Sequence, residues 1–289
     1  MKSQSAMEYL TTYAWAILII AVVLVSLFAL GIFNSGSREP KAQPGSCSVV
    51  RNIYGGAQLS GACTNNIPEF VAQFNGQTAD IKLPASARPF SAFTTSFWIN
   101  PSSWSNDQYP GIFGGEGLGA TSGGIVATLD GANIYFEVQN GAISDQLLIP
   151  VSNLPIGSWS FVAFEWNGYA GANAINVYIN GVLIGSQSGL TGPIAWGPQQ
   201  PLFYIANADD GRFFQGNMAD FQVYNTSLSA NGIETLYLEG IGGTPIDLRN
   251  LVGWWPLNGN ANDYSGNGNN GVENSISYSA NWYSSYTAP

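Results

Sequence analysis

The sequence has no histidine, few charged residues and only two cysteines. Charged residues make up 9% of its 289 residues, whereas about 25% is usual for a soluble domain. The absence of histidine excludes serine–histidine catalysis and histidine-ligated zinc sites. The eight basic residues form no cluster and the net charge is −10. The sequence therefore predicts no nucleic-acid partner, because such a partner requires a basic surface.

The two cysteines are Cys47 and Cys63. They form no CxxC unit, and two thiols are too few for a zinc or iron–sulfur site. In an exported protein such a pair is expected to form a disulfide, which would contribute about 3 kcal/mol by closing a short loop. The alternative is a pair of buried free thiols.

A long apolar segment runs from Tyr13 to Phe33, and no charged residue occurs between Glu8 and Arg38. About 20 apolar residues suffice for a helix to cross a bilayer, and only a helix satisfies its own backbone there. We therefore predict an apolar helix within residues 1–34 that anchors the chain in a membrane. A cleaved secretory signal is the alternative, although NSGSREP, which follows the segment, is not a typical small-residue cleavage site.

The residues in front of this segment, KSQSAMEYL, resemble the class III signal peptide of archaeal type IV pilin-like proteins. In that family a prepilin peptidase cuts before a glutamine, and a glutamate occupies the fifth position of the mature chain. The resemblance implies cleavage between Ser3 and Gln4, with Glu8 as that glutamate. It also implies two kinds of partner, the peptidase and identical or related pilin subunits. A carboxylate at a helix N-terminus is stabilised by the helix dipole.

The rest of the chain divides into a linker and a β-domain. Residues 35–68 are rich in Pro, Gly and Ser near their start and contain the cysteine loop, as expected for a spacer. Residues 69–289 show short strands separated by turn signals. Asp130-Gly131 and Asn180-Gly181 are predicted hairpin turns. One short helix is predicted within residues 227–240, with Ser229 as its N-cap.

The order of these segments resembles the concanavalin A-like, laminin G-like lectin/glucanase superfamily. The matching segments are FVAQFNGQTADIKLP, FTTSFWINP, GSWSFVAFEWNG, INVYINGVLIG and FFQGNMADFQVYNTSLSANGIETLY. The last is the most specific, because a Gly-x-x-x-Asp strand followed by a Leu-Ser-x-x-x-Ile helical turn recurs at the end of such domains. The resemblance implies a mostly-β fold, an antiparallel jelly-roll sandwich following the N-terminal helix.

The segment 251–273 resembles the opening strand and loop of such a domain, although it stands near the end of this chain. Either the domain is circularly permuted, with residues 251–289 completing it, or a second domain is truncated. Little chain follows this segment, which favours the permuted domain.

Glycoside hydrolases of this superfamily carry paired glutamates in an E-x-D-x-x-E pattern, as their chemistry requires. The sequence has no such pattern, and Glu116, Glu137 and Glu165 are isolated. We therefore predict no catalytic residues and no enzymatic activity.

Calcium is the cofactor that the resemblance implies. Many relatives hold one ion between positions that correspond to Gly76 and Asp220. Asp263, with Asn258 and Asn262 beside it, is a second candidate, and Asp209-Asp210 is a third. Carboxylate, amide and backbone oxygens are the ligands that calcium takes. The alternative is that these residues only form turns.

Aromatic residues in loops are the candidates for glycan binding, because a sugar site needs an exposed platform with polar groups beside it. They are Trp104, Tyr109, Tyr169 and Trp196. By contrast Trp98, Trp159 and Trp166 lie on predicted strands and are expected in the core. Asn225 begins the one N-glycosylation sequon, Asn-Thr-Ser.

These features predict an archaeal type IV pilin-like filament subunit or adhesin with an outward-facing, lectin-like domain. The first alternative is a membrane-anchored, extracellular carbohydrate-binding protein that does not polymerise, and the second is a glycan hydrolase. The expected partners are the membrane, pilin subunits, glycans and cell surfaces. The expected location is the cell surface, with the β-domain outside.

Overall fold

The fold is that of a computed structural model with two compact units, Met1–Glu39 and Pro40–Pro289. The described residues are 6–29, 41–64, 67–104, 110–115, 123–140, 143–169, 171–189, 194, 196, 203–208 and 211–289. In the first unit, side chains are described for residues 13–26.

The first unit contains the helix α1, Ala6–Ala29. Its large apolar side chains are exposed on all sides, as shown by Trp15, which is 67% exposed, and Val25, which is 68% exposed. Within the part of the chain whose side chains are described, no helix has both the length and the hydropathy to cross a membrane. The predicted helix is present, whereas the predicted membrane span is not confirmed. Ser3, Gln4 and the Glu8 side chain lie outside the described residues.

The second unit is built almost entirely from β-strands. In chain order they are β1 Lys41–Ala42, β2 Cys47–Arg51, β3 Ala57–Gly61, β4 Ile67–Pro68, β5 Val71–Asn75, β6 Asp80–Leu83, β7 Phe93–Pro101, β8 Gly111–Gly115, β9 Gly124–Asp130, β10 Asn133–Asn140, β11 Ile143–Pro150, β12 Ser160–Trp166, β13 Gly171–Ile179, β14 Val182–Gly189, β15 Phe203–Ile205, β16 Gln215–Tyr224, β17 Leu251–Trp255, β18 Val272–Asn274 and β19 Ser277–Ser279. A short helix, α2 Ala230–Leu238, follows β16.

Two antiparallel sheets form the sandwich. One has seven strands in the order β11-β10-β9-β8-β15-β6-β18, and the other has eight, β14-β13-β12-β7-β16-β5-β19 with β17 paired to β16. Alternate residues of each strand point between the sheets, where Phe97, Phe113 and Phe164 pack in one aromatic core. This confirms the predicted mostly-β sandwich, since alternation of side chains is what lets a strand fill one face.

Residues 251–289 complete both sheets. β17 pairs with β16 and β19 pairs with β5, whereas β18 joins the other sheet beside β6. Trp255 of β17 is fully buried in the core between the sheets. The last part of the chain is therefore integral to the sandwich.

A second apolar cluster covers the outer face of the eight-stranded sheet. Trp98 of this sheet packs against Tyr237 of α2 and Tyr286 of the C-terminal segment. The three tryptophans expected in the core are all buried, namely Trp98, Trp159 and Trp166. The helix prediction is also confirmed, because the Ser229 side chain accepts a hydrogen bond from the Gly232 N–H and caps α2.

The cysteine hairpin, residues 47–63, is held by the predicted disulfide between Cys47 and Cys63. Its strands β2 and β3 pair in register from Cys47↔Gly61 to Arg51↔Ala57. The segment that the sequence suggested as a linker is thus structured from residue 41 to residue 64 and belongs to the second unit. The disulfide and the pairing are what order it.

Candidate functional site

Four residues from three loops form the candidate site, which we call the Arg88 rim. They are Arg88, Phe90, Tyr169 and Trp196. The connection from β6 to β7 carries Arg88 and Phe90 to one end of the sandwich. Trp166, the last residue of β12, pairs with Phe93, the first residue of β7. The turn that bears Tyr169 therefore lies at the same end.

The turn after β12 touches the β6–β7 connection. Gly168 has φ of 78°, and a Cβ at this position would lie 3.1 Å from the Ala92 nitrogen. A glycine is required here because a side chain would meet backbone and because the left-handed conformation strains other residues. Asn167 fixes the turn, since its Oδ1 accepts the Tyr169 N–H at 2.9 Å.

Trp196 is fastened to the β6–β7 connection by hydrogen bonds. Its indole Nε1–H donates to the Pro89 carbonyl at 2.7 Å, and the Ile194 N–H donates to the Phe90 carbonyl at 2.7 Å. On its inner side the indole packs edge-on against the buried Phe203, with ring centres 6.2 Å apart. These contacts hold the ring in one orientation at the rim.

The Arg88 guanidinium lies across two aromatic rings. Its central carbon is 5.1 Å from the centre of the Trp196 ring and 6.0 Å from that of Phe90. Both distances are within the range of a cation–π interaction. Burial lowers the pKa of Arg88 below its ordinary value, but an arginine stays charged at neutral pH. The rim therefore presents a fixed positive charge among aromatic rings.

The aromatic residues of this rim reach solvent to different degrees. Tyr169 is 73% exposed and Phe90 is 53% exposed, whereas Arg88 and Trp196 are half-buried. Exposed rings beside a few oriented polar groups are the composition expected of a small-ligand site. Sugar rings offer C–H groups that pack on such faces and hydroxyls that accept hydrogen bonds from a guanidinium.

The structure thus places two of the four aromatic residues predicted for glycan binding, Tyr169 and Trp196, at the same end of the sandwich. Trp104 lies at the other end of β7, where its indole donates to the Leu154 carbonyl at 2.9 Å and packs against Phe214. Like Trp196 it is half-buried and packs against the core, and its role in glycan binding stays a prediction. Tyr109 lies outside the described residues. Sequence reasoning missed Arg88 and Phe90, although Arg88 is one of eight basic residues in the chain.

A second feature, the Asp220 pocket, lies beside the cysteine hairpin. It is a pocket of about 40 Å³, enough for one or a few water molecules. Its walls come from the cysteine hairpin, the loop after α2 and the residues around β17, and they include Cys47, Cys63, Gly243, Trp254, Pro256 and Asn258. It is too small for a sugar ring.

Asp220 is a buried acid, and besides this burial the charge of Glu239 also raises its pKa. It is 4% exposed and has φ of 51° at an irregularity of β16. Its carboxylate accepts hydrogen bonds from the Trp254 Nε1–H at 2.7 Å and from the Gln222 amide at 2.9 Å and 3.0 Å. Burial raises the pKa of Asp220 to about 7, and these neutral donors lower it only in part.

The predicted calcium ligands do not lie together. Gly76 is next to Gln215 at the start of β16, and five residues of strand separate that point from Asp220, roughly 15 Å at the usual rise per residue. The two residues therefore cannot share one ion. The loop aspartates Asp209 and Asp210 lie outside the described residues.

Asp263 has a structural explanation. Its carboxylate accepts hydrogen bonds from the backbone N–H groups of Trp254, Ser265 and Asn269 and from the Ser265 hydroxyl. It therefore holds the loop after β17, as aspartates in turns do. Asn262 is exposed in the same loop.

The residues that do meet in the Asp220 pocket are Asp220 and Asn258. Asn258 Oδ1 accepts the Phe70 N–H at 2.9 Å, and its amide donates to the Ala42 carbonyl at 2.6 Å. Carboxylate, amide and carbonyl oxygens are the right kind of ligand for calcium. In the part of the chain that is described, no three acidic or thiol side chains converge, so Asp220 would be the one charged ligand of such a site.

The glutamates that are described do not form a hydrolytic pair. Glu137 of β10 and Glu165 of β12 both have neighbours that point into the core, so the two carboxylates lie on opposite outer faces of the sandwich. Sheets in a sandwich are about 10 Å apart, whereas hydrolytic carboxylates lie about 5–9.5 Å apart. Glu116 lies outside the described residues.

Glu165 instead belongs to a buried polar network. It accepts hydrogen bonds from the Ser227 hydroxyl and the Asn176 amide, and burial raises its pKa. Ser227 ends the sequon that begins at Asn225, and Asn225 itself is exposed after β16. Glycosylation of Asn225 stays a prediction.

Comparison with known protein families assigns the second unit to a superfamily. Residues 75–234, more than half of the chain, match the concanavalin A-like lectin/glucanases superfamily. The chain belongs to this superfamily. A comparison with curated proteins gave no match.

Solved structures similar to this superfamily member include bacterial proteins. A Bacteroides ovatus protein proposed to bind carbohydrate has 17% identity and a TM-score of 0.52, over 77% of this chain and 67% of that one. Domain 4 of the Geobacillus stearothermophilus arabinanase AbnA, in complex with arabinotriose, has 19% identity and a TM-score of 0.45, over 68% and 84%. The sialidase CBM40 of Ruminococcus gnavus, bound to α2,3-sialyllactose, has 13% identity and a TM-score of 0.45, over 59% and 100%. The first of these shows the shared fold.

Proposed function

We propose that the chain is an extracellular carbohydrate-binding protein whose Arg88 rim contacts the glycan. The observation that carries this proposal is the Arg88 guanidinium laid across the rings of Trp196 and Phe90, with the exposed Tyr169 on the neighbouring turn. This arrangement supplies aromatic rings for stacking beside a positive charge.

Two further facts support the proposal. The chain belongs to the lectin/glucanases superfamily, and the Bacteroides ovatus protein of the same fold is proposed to bind carbohydrate. The Cys47–Cys63 disulfide is typical of proteins exposed to an oxidising, extracellular environment. We propose binding without turnover, which is supported by the placement of Glu137 and Glu165 on opposite faces of the sandwich.

The test is binding of the full chain to a glycan array. A mild detergent keeps the chain in solution, because α1 exposes apolar side chains. Tyr169→Ala and Trp196→Ala are expected to lower binding at least tenfold for the glycans that bind. Trp104→Ala is the matched control, since Trp104 also donates its indole N–H to a backbone carbonyl and packs on a phenylalanine. Equal losses in all three variants, or binding to no glycan, would overturn the proposal.

We further propose that the chain is a pilin-like subunit of a surface filament. The observations that favour this role are α1, a 24-residue helix with exposed apolar side chains, and the spacing of Gln4 and Glu8 in the sequence, which matches that of class III signal peptides. Bundling such helices removes their apolar surface from water. The partners would be a prepilin peptidase and pilin subunits. The alternative is a membrane-anchored protein that does not polymerise.

Electron microscopy of material sheared from the cell surface tests the filament role. Filaments that contain this chain, with a mature N-terminus at Gln4 by mass spectrometry, are expected. Retention in the membrane fraction without filaments would favour the anchored alternative.

We also propose a calcium ion in the Asp220 pocket. Asp220 would provide its charged ligand and Asn258 an amide oxygen, and the ion would offset the cost of burying the carboxylate. Its role would be structural, since the pocket is too small for a sugar ring.

A further inference from the structure

We infer that Asn225 is a glycosylation site that closes when the second unit folds. A sugar chain is then attached before folding, and the folded unit tolerates it. The inference goes beyond the proposed functions, because it concerns the order of modification and folding. It rests on the sequon Asn225-Thr226-Ser227 and on the contacts that hold this segment in the structure.

The modification uses two parts of the sequon at once. A bond forms between the Asn225 side-chain nitrogen and the first carbon of the sugar, and the bond from that carbon to a lipid-linked phosphate donor breaks. The phosphate leaves with the electron pair, and the nitrogen gives up one proton to a base. The sequon is defined by a hydroxyl two residues after the asparagine, so a transferase must also reach the Ser227 hydroxyl.

The asparagine itself is accessible in the folded unit. Asn225 directly follows Tyr224, the last residue of β16, and it is exposed. Its backbone N–H donates to the Asn250 carbonyl at 2.9 Å, a contact that does not involve the side chain. A sugar chain on this side chain would project into solvent, as bulky surface modifications do. The folded unit therefore has room for the product.

The Ser227 hydroxyl, in contrast, is already engaged. Ser227 is half-buried, and its hydroxyl donates a hydrogen bond to the Glu165 carboxylate. Glu165 of β12 is 6% exposed, and its second oxygen accepts the Asn176 amide at 3.2 Å. Withdrawing the hydroxyl would leave a buried acceptor without that partner, which costs free energy.

A second contact holds the backbone of the sequon. Thr94 of β7 is fully buried, and its hydroxyl donates to the Thr226 carbonyl at 3.0 Å and accepts the Leu228 N–H at 2.9 Å. Tyr224 and Leu228, on either side of the sequon, are buried in the second apolar cluster. The segment is therefore fixed at both ends and in the middle.

These contacts exist only once distant strands have paired. Glu165 is 62 residues from Ser227, and Thr94 is 132 residues from Thr226 along the chain. Before β7 and β12 join β16 in the sheet, nothing of this kind restrains the sequon. After they join, the segment must open locally before a transferase can bind it, which lowers the rate of modification.

The experiment varies the time at which the transferase meets the chain. The full chain is synthesised in a cell-free system with mild detergent, and an oligosaccharyltransferase with its lipid-linked donor is added during synthesis or after folding. Mass spectrometry measures the fraction of Asn225 that carries a sugar chain. After equal times this fraction is expected to be at least about tenfold higher with addition during synthesis.

An added sequon provides a control within the same molecule. Tyr54→Thr creates an Asn-Ile-Thr sequon at Asn52, in the tip of the cysteine hairpin, where Tyr54 is 91% exposed. The hydrogen bonds of Asn52 in this tip join it to residues 54–56, so the tip can open while the sandwich stays intact. Asn52 is expected to be modified at both times of addition.

Variants assign the slow modification to the two contacts. Thr94→Val and Glu165→Leu each remove one contact and are expected to raise the modified fraction of the folded chain at least about threefold. Thr128→Val is the matched control for Thr94→Val, because Thr128 is also fully buried on a strand and its hydroxyl donates to the Pro110 carbonyl. It lies in the other sheet and should cause no rise. Circular dichroism establishes that each variant is folded.

Each of the other outcomes would overturn the inference. Equal modification of Asn225 at both times of addition would show that the folded sequon is open. No modification during synthesis, while Asn52 is modified, would show that Asn225 is not a site. A rise in Thr128→Val equal to that in Thr94→Val, or no rise in either clamp variant, would remove the role of the contacts. A lower thermal midpoint for the glycosylated chain than for Asn225→Gln would show that the folded unit does not tolerate the sugar.

Discussion

Asp220 and Arg88 are both charged residues that contact a tryptophan, and they differ in what surrounds them. The Asp220 carboxylate accepts the indole N–H of Trp254 in a pocket behind the cysteine hairpin. The Arg88 guanidinium lies over the indole face of Trp196 at an open edge. The first charge is enclosed by the fold, and the second faces solvent.

This difference determines what each charge can do. A carboxylate buried among neutral donors costs free energy, and that cost makes stability depend on pH or on a bound cation. A guanidinium at a partly open edge retains some water. The comparison suggests that the Asp220 pocket serves stability and the Arg88 rim serves recognition.

The largest expected effect is the pH dependence caused by Asp220. Its folded pKa of about 7 lies above the ordinary 3.8, so the folded state holds the proton more tightly than the unfolded state. Its contribution is fully present below about pH 4 and is lost as pH rises through about 7, by at most about 4 kcal/mol. Asp220→Asn is expected to flatten this dependence and to be more stable than wild type at about pH 8. Urea denaturation across this pH range measures how the free energy of unfolding depends on pH.

Glu234→Gln, which changes an exposed acid of α2, is the control and should leave the dependence in place. An undiminished slope in Asp220→Asn would contradict the assignment. Adding calcium at about 5 mM is expected to raise the thermal midpoint of wild type more than that of Asp220→Asn. Equal shifts would remove the proposed calcium site.

The cysteine hairpin should contribute the next largest effect. Replacing both Cys47 and Cys63 by serine is expected to lower the free energy of unfolding by about 3 kcal/mol, because the closed loop restricts the unfolded chain. Since these residues line the Asp220 pocket, the variant should also lower the pKa of Asp220 by admitting water. Denaturation with and without a reductant measures the first effect, and its pH dependence measures the second. Wild type that is insensitive to the reductant would disprove the stabilising role.

The next smaller effect is the difference in stability between a variant of Arg51 and a variant of Arg88. Arg51→Gln loses three hydrogen bonds from a charged donor to backbone carbonyls and is expected to lower the free energy of unfolding by about 2 kcal/mol. Arg88→Gln loses a partly exposed cation–π contact and one exposed hydrogen bond from its Nε–H to the Ala85 carbonyl at 3.2 Å, and is expected to cost less than about 1 kcal/mol. Urea denaturation of both variants compares them. A larger loss for Arg88→Gln would make Arg88 a structural residue and break the comparison.

Trp104→Ala and Trp196→Ala are expected to differ least in stability. Each should lower the free energy of unfolding by about 2 kcal/mol, because both half-buried indoles pack on the core. Their glycan binding should differ instead, with a loss in Trp196→Ala alone. Thermal unfolding and array binding of the same preparations make the measurement. A loss of binding that follows stability in both variants would show that packing, and not contact with the glycan, is responsible.

The sequence alone determined the fold class and several local features. Hairpin dipeptides such as Asn180-Gly181 predicted turns that the structure contains, because positive φ angles are tolerated there. Ser229 predicted the start of α2, and the cysteine count predicted the disulfide. The Leu-Ser-x-x-x-Ile helical turn and the strand before it predicted the superfamily. These features are encoded within a few neighbouring residues, so they can be read from the chain.

Tertiary structure alone decided which residues share a site. Trp104 and Trp196 look alike in the sequence, and only the Arg88 and Phe90 side chains, over 100 residues from Trp196 along the chain, distinguish them. Gly76 and Asp220 were predicted to share an ion, but the register of β5 on β16 places them apart. Strand pairing and sheet packing set such distances, and they depend on how distant segments fold together rather than on the local sequence.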